Sequence, residues 1–317
     1  MSTTIRINSL TLDALPDDSD SFVIDGTGGT RRITLQKLKD NIIDDTQQAS
    51  TKTYSSSNVE TKLSALQSTL QSKISAVETQ VAPLVYNNAG AHNAIYRGKS
   101  LGTSVTDAQW AAISAGTFED MYIGDYWTIN SKVYRIAAFD YYLNCGDTAT
   151  TKHHVVLVPD ASMYSAQMNT SNTTDGAYVG SAMYTANLAT AKTTITTAFG
   201  EAHVLSHRIY LNNAVSSGRP SGGAWVDSTV DLMCEQMVYG SNIHAPMSYG
   251  SSIANFKVEK SQLPLFALNH SLIGIRVTWW LRDVVTAAYF ATVDNYGYAS
   301  YGNAGDPNGV RPAFCIS

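Results

Sequence analysis

Eight apolar residues, Val59, Leu63, Leu66, Leu70, Ile74, Val77, Val81 and Leu84, follow one another at steps of 4, 3, 4, 4, 3, 4 and 3. That spacing holds all of them on one stripe of an α-helix, with Ser, Thr, Gln, Lys and Glu between them. Such a helix cannot bury its stripe alone, so the spacing predicts a coiled coil and an oligomer. The run from Leu63 to Ile74 steps 3-4-4, an eleven-residue segment that locally relaxes the left-handed supercoil. No stripe position is Asn, the residue that would enforce a dimer. Ser57 and Glu60 have the spacing of a capping box at the start of the helix, and Pro83 ends it. The competing arrangement, one amphipathic helix lying on a globular body, fits less well. A polar linker over 44–56 and the turn-forming Asn87-Asn88-Ala89-Gly90 isolate the stripe on both sides.

The totals narrow what the rest can be. At 317 residues the chain has room for one large or two modest domains plus extras. Charged residues are 15%, against about 25% in an average soluble domain, so Ser, Thr, Asn, Gly and Tyr must supply the polar surface. A net charge of −5 and a pI near 5.8 argue against a nucleic-acid partner. No apolar run reaches the ~20 residues of a membrane span, so no membrane insertion is expected. The first residues carry no apolar core of a secretory signal. Cys145, Cys234 and Cys315 are too scattered for a disulfide framework or a zinc ribbon and read as reduced, in a protein made in a cytoplasm.

Residues 1–54 read as a small unit plus linker. Ile5, Ile7, Leu10 and Leu12 predict one short strand, Phe22 to Gly26 a second, and Gly28-Gly29 a turn. A short amphipathic helix follows, with Ile33, Leu35, Leu38, Ile42 and Ile43 on one side. A unit this small leans on a partner. The phrase FVIDGTGGTRRITLQKLKD resembles the N-terminal attachment segment of phage tail fibre proteins, which implies docking onto other tail or baseplate proteins.

Residues 55–85 are the coiled-coil stalk, and 86–317 read as one irregular α+β domain. Thr106 to Ile113 predicts a capped helix, Asp125 to Phe139 a hairpin turning near Asn130-Ser131, and His154 to Pro159 a buried strand entered through His153-His154. Ala186–Phe199 and Ser228–Tyr239 fit helices. The end of the chain has two frames around a different middle. Trp279 to Val285 is aromatic and β-branched, with the pair Arg282-Asp283, and Gly309 to Phe314 reads as a closing strand. Between Arg282 and Arg311 there is no Lys or Arg. Tyr289, Asp294, Asn295, Tyr296, Tyr298, Ser300, Tyr301, Asn303, Asp306 and Asn308 lie there instead, among glycines. Tyr offers large contact area with few rotors to freeze, and Ser, Gly and Asn offer adaptable hydrogen bonding, as in evolved binding loops. These ten are the candidate ligand-binding residues. The bland alternative is a glycine-rich surface loop stabilised by tyrosines.

Trp279-Trp280-Leu281-Arg282-Asp283 followed by Gly309-Val310-Arg311-Pro312-Ala313-Phe314 resembles the C-terminal signature of bacterial and phage C-type-lectin-like domains. That class includes receptor-binding proteins varied by diversity-generating retroelements. His92 to Lys99 and Ile123 to Ile129 are similar to phrases in phage tail proteins. The resemblance implies a C-type-lectin-like head, a parallel homotrimer, a virion location, and an insert that binds a host bacterial surface receptor, protein or glycan. It also implies a buried frame: Trp279, Trp280, Leu281, Val310 and Phe314 inside, with Arg282 or Arg311 holding a carboxylate or backbone carbonyls.

Chemistry is sparse. His203 and His207 have the spacing of a helical zinc pair, but no Glu follows the first His to serve as base, so both read as structural. Asp306-Pro307-Asn308 is similar to the sugar-binding triplet of calcium-dependent lectins. Its companion triplet is absent, with only Trp225-Val226-Asp227 and Val293-Asp294-Asn295 near it. Six to eight oxygen ligands for calcium cannot be assembled, and Asp306 to Gly309 reads as a turn. The lectin-like class also holds oxidases that work through a cysteine pair, which Cys145, Cys234 and Cys315 do not resemble. No cofactor and no enzymatic activity are expected. A purely structural tail protein, or an enzyme acting on a host surface component, are the competing classes.

Overall fold

A computed structural model describes residues 21–24, 31–37, 55–81, 87–246 and 261–317, a mixed α/β chain with several sheets. The expected strand at Ile5–Leu12, the Gly28-Gly29 turn, the helix positions Leu38, Ile42 and Ile43, and Pro83 and Leu84 lie outside the described residues. Contacts divide the chain into two units, Met1–Pro83 and Leu84–Ser317.

In the first unit β1 (Ser21–Ile24) pairs antiparallel with β2 (Arg31–Thr34). A single helix then runs Ser56–Val81, and none of its residues is buried. Its cap is Ser55 and not Ser57. Ser55 Oγ accepts the Asn58 N–H at 3.1 Å, while Ser57 is already the second residue of the helix, its carbonyl taken by Thr61 Oγ1 at 2.9 Å.

The second unit is built on two sheets and a ribbon. A short helix, Ala89–Asn93, precedes β3 (Ser100–Gly102). The helix Asp107–Ala115 begins with a full capping box, Thr106 against Gln109, and stops at left-handed Gly116. β4 (Tyr126–Ile129) and β5 (Lys132–Phe139) form the expected hairpin, and Asn130 and Ser131 both adopt positive φ, as a two-residue turn between twisted strands requires. Arg97 Nη2 reaches Asp125 Oδ2 at 2.6 Å, and Lys99 N–H reaches Asp125 Oδ1 at 2.8 Å, so the chain before β3 is tied to the start of β4.

β6 (Val155–Pro159) is buried throughout and follows His153-His154, with Asp140 accepting the His154 N–H at 2.9 Å. β7 (Tyr164–Ala166) leads to a wide turn at Met183–Asn187 and the helix Ala189–Phe199. β8 (His207–Ser216) and β9 (Arg219–Ser228) make a two-stranded ribbon. The segment expected as one helix, Ser228–Tyr239, is instead the end of β9, then β10 (Val230–Leu232), then the helix Glu235–Tyr239. Val230 and Leu232 are wholly buried beside the closing strand, and that distant pairing overrides local helix propensity. After the helix Pro264–Leu268 come β11 (Trp279–Val284), β12 (Tyr289–Val293), β13 (Ala299–Asn303), β14 (Asn308–Val310) and β15 (Pro312–Ile316).

The six-stranded sheet runs β10-β15-β6-β5-β4-β3 and the five-stranded sheet runs β13-β12-β11-β14-β7. The single closing strand expected over Gly309–Phe314 is therefore two strands, one in each sheet, and Arg311 sits at the crossing. Arg311 Nε donates to Pro159 O at 2.8 Å and Nη1 to Leu272 O at 2.9 Å, with Trp279 and Phe266 stacked on the guanidinium. Burial pulls its pKa down to about 10. Trp279, Trp280, Leu281, Val310 and Phe314 are all buried, and Arg282 Nη1 donates to Leu232 O at 2.7 Å. The frame is core, with its arginines on backbone carbonyls.

Candidate functional site

The stretch between the frames is not a loop. Phe290, Ala291, Thr292 and Val293 are buried on both faces of β12, so the first half of the insert belongs to the core. Trp279 pairs with Val293 and Trp280 with Thr292, and β13 then pairs along all five residues of β12 as the edge of the sheet. What the insert displays is one edge strand and the tip of a hairpin.

The tip is held from three sides. Asp294 Oδ1 accepts the N–H groups of Tyr296 and Tyr298, each at 2.9 Å. Asp294 N–H donates to Tyr298 O at 2.9 Å, and Tyr239 Oη donates to Gly297 O at 3.2 Å. Gly297 has a φ of +100°, and the tip lies so close to Gly274 that a Cβ there would stand 2.7 Å from Tyr296 O. Backbone order of this kind leaves the side chains as the only free parts. Tyr296 is 78% exposed, Tyr298 72% and Tyr301 50%. Asn295 is exposed beside them, and Asp294 is half-buried because its carboxylate builds the turn.

The other candidates sort by register. Tyr289, opposite Asn303, and Tyr301, opposite Ala291, share one face of the hairpin, and the two rings lie 5.2 Å apart. Ser300, opposite Thr292, turns to the other face and is half-buried. At the far end Asn303 Nδ2 donates to Asp306 Oδ2 at 3.0 Å, and Asn308 opens β14 against Ala166. The turn expected over Asp306–Gly309 falls earlier, at Ala304-Gly305, because Asn308-Gly309-Val310 is strand. At ~3.4 Å per residue, the five steps from Tyr298 to Asn303 span about 17 Å. The exposed members, Asn295, Tyr296, Tyr298, Tyr301 and Asp306, are therefore spread along an extended edge and do not converge on a single small-molecule pocket.

One residue that sequence reasoning missed belongs to this surface. His244 is exposed, and its ring lies 5.3 Å from Tyr301, with Nε2 3.2 Å from Ala299 O. No local pattern marks it, since it stands more than fifty residues before its partners.

The remaining chemistry is spent on structure. His203 closes a 3-10 turn and stacks on Trp110 at 3.9 Å, while His207 opens β8 and packs on Tyr142 at 4.0 Å. They share no helix, so the zinc-pair spacing has no helical counterpart. Asp227 lies 3.4 Å from Arg208, and Asp294 is occupied in the turn, so neither supplies the missing lectin triplet. Cys145, Cys234 and Cys315 are in no disulfide, and burial pushes the Cys315 thiol well above its ordinary range. Among the described residues, no group of three or more His, Cys, Asp or Glu could hold a metal ion, and no helix is long and apolar enough to cross a membrane.

No protein-family model, curated protein or solved structure matches this chain.

Proposed function

We propose that this protein is a phage tail receptor-binding protein, with a C-type-lectin-like head carried on a trimeric coiled-coil stalk. Residues 1–54 attach it to other tail or baseplate proteins, and the β12–β13 hairpin contacts a host bacterial surface receptor. One observation carries this reading: three tyrosines stand exposed on a hairpin that pairs with β11, a strand buried along its whole length. Tyr296 and Tyr298 add little to the fold at that exposure, whereas aromatic side chains dominate contact energies at interfaces. The lack of any Lys or Arg between Arg282 and Arg311 favours an uncharged or basic partner face over a polyanion. Retroelement diversification of the insert is compatible with this division between buried frame and displayed side chains.

Replacing all three tyrosines by alanine tests the reading. Exposed positions usually shift stability by no more than ~0.5 kcal/mol, so the melting temperature should stay nearly where it was. Each lost contact residue can cost ~2 kcal/mol of binding, so adsorption of particles to the host should collapse or change specificity. Normal adsorption would make the tyrosines decoration, and unfolding would make them core.

A further inference from the structure

We propose that the receptor surface continues onto a second loop, 242–245, and that a buried carboxylate, Glu235, positions that loop for binding. The proposal rests on the receptor-binding reading and extends it beyond the insert between the frames. Glu235 is fully buried at the first residue of the helix Glu235–Tyr239. Its carboxylate accepts the N–H of Ile243 at 2.9 Å, of His244 at 3.0 and 3.2 Å, and of Ala245 at 2.9 Å. Three successive amides thus satisfy the acceptor oxygens of one buried carboxylate.

Glu235 is itself tied to the frame. Its backbone N–H donates to Asp283 Oδ2, in β11, at 2.6 Å. The loop therefore inherits its position from the most deeply buried strand of the five-stranded sheet. Ala245, on its inner side, is buried; Ile243 and His244, on its outer side, are exposed.

The outer side meets the edge of β13. Asp294 N–H bonds to Tyr298 O and Ala304 N–H to Ala288 O, so residues 298, 300, 302 and 304 direct their backbone groups at β12. Residues 299, 301 and 303 direct theirs outward. The His244 imidazole covers this edge by donating from Nε2 to Ala299 O, and its ring stands edge-on to Tyr301. His244, Tyr301 and Tyr289 thus form one continuous strip of rings assembled from two distant parts of the chain. Beyond Tyr301 and the Ala299 carbonyl the His244 ring faces outward, and His244 and Tyr301 are both exposed. An aromatic strip of this kind, held by a buried anchor, is preorganised for contact.

The test uses full-length protein on intact particles, with melting temperature, amide exchange and adsorption to host cells measured on each variant. His244→Ala should leave the melting temperature unchanged and lower adsorption roughly tenfold, the loss of one strong contact residue. His244→Phe keeps a ring against Tyr301 and should recover part of it. Glu235→Ala should accelerate amide exchange at 243–245 and lower adsorption, with Glu235→Gln, which keeps one carbonyl acceptor, in between. If Glu235→Ala fails to fold, the two His244 variants decide the matter alone. Normal adsorption of His244→Ala, with loss of adsorption in the triple tyrosine variant, overturns this inference and leaves the tyrosine surface standing. Normal adsorption of both overturns the receptor reading as well.

Discussion

His207 carries two ring nitrogens in the interior, neither with a well-formed hydrogen bond, and that is a liability the fold accepts only while the ring is neutral. Burial, with neighbouring His154 adding to it, pushes its pKa down to about 3 from the ordinary value of 6.5. His154 is lowered too, chiefly by burial. A histidine depressed in the folded state contributes stability that is present above its unfolded pKa and is lost as pH falls toward the folded one. The unfolded chain takes up these protons from about pH 6.5 downward, and the folded chain does not. Asp231 works in the opposite sense, since burial raises its pKa and the folded state then holds the proton more readily. As pH falls, Asp231 adds stability between its raised folded pKa and its ordinary value of 3.8, so it offsets part of what the two histidines lose. Melting temperature should therefore fall steadily between pH 6.5 and about 4. The loss should amount to a few kcal/mol, because each tenfold difference in proton affinity between folded and unfolded chains is worth ~1.4 kcal/mol. His207→Phe should flatten the curve. A melting temperature independent of pH across that window would show that these imidazoles titrate normally.

At the scale of elements, Trp280 fastens three strands together. It lies in β11, pairs with Thr292 of β12, and donates from Nε1 to Ala166 O of β7 at 2.8 Å. Trp280→Ala would remove a wholly buried ring and strip the Ala166 carbonyl of its donor, at a cost of ~3–5 kcal/mol. Calorimetry should show a sharp drop in melting temperature, in contrast to the silent tyrosine substitutions. An unchanged melting temperature would place the frame at the surface. This frame is legible in the sequence because Trp279-Trp280 and Phe314 have no polar alternative to burial. So is the β4–β5 hairpin, whose Asn130-Ser131 turn is a local signal. Three consecutive serines, Ser55 to Ser57, offer three equivalent caps, and only the geometry selects the first. Val230–Leu232 escapes a local reading because its partner strand, Pro312–Ile316, is distant in sequence. The insert resembles a loop in sequence for a related reason. Both faces of β12 are buried, so alternation vanishes and the glycines dominate the pattern. The displayed tyrosines are legible from composition, while Glu235 and His244 are not, because nothing near them in sequence hints at the contacts they make.

The whole molecule poses an assembly problem that the described chain leaves open in one place. Val59, Leu63, Leu66, Leu70, Ile74, Val77 and Val81 are 43–62% exposed along a helix of 26 residues, about 39 Å long at 1.5 Å per residue. Most helical stability in a protein comes from packing an apolar face, and no residue of this helix is buried. Burying the remaining half of each side chain is worth on the order of 1 kcal/mol per residue. In the proposed trimer a second and third copy of the same stripe would supply that burial. Three heads on one stalk would also multiply a weak single-site affinity through effective concentration, so assembly and adsorption are coupled. Light scattering should give a particle of three times the 34.2 kDa chain mass at micromolar concentration. Leu66→Asp combined with Leu70→Asp places two charges in the seam of every copy and should yield monomers. Because Leu84–Ser317 has its own core, the head's melting transition should survive in those monomers, whereas adsorption should fall by far more than threefold. A wild-type chain that runs as a monomer would remove the stalk from this account, and a monomeric variant that adsorbs normally would remove avidity from it.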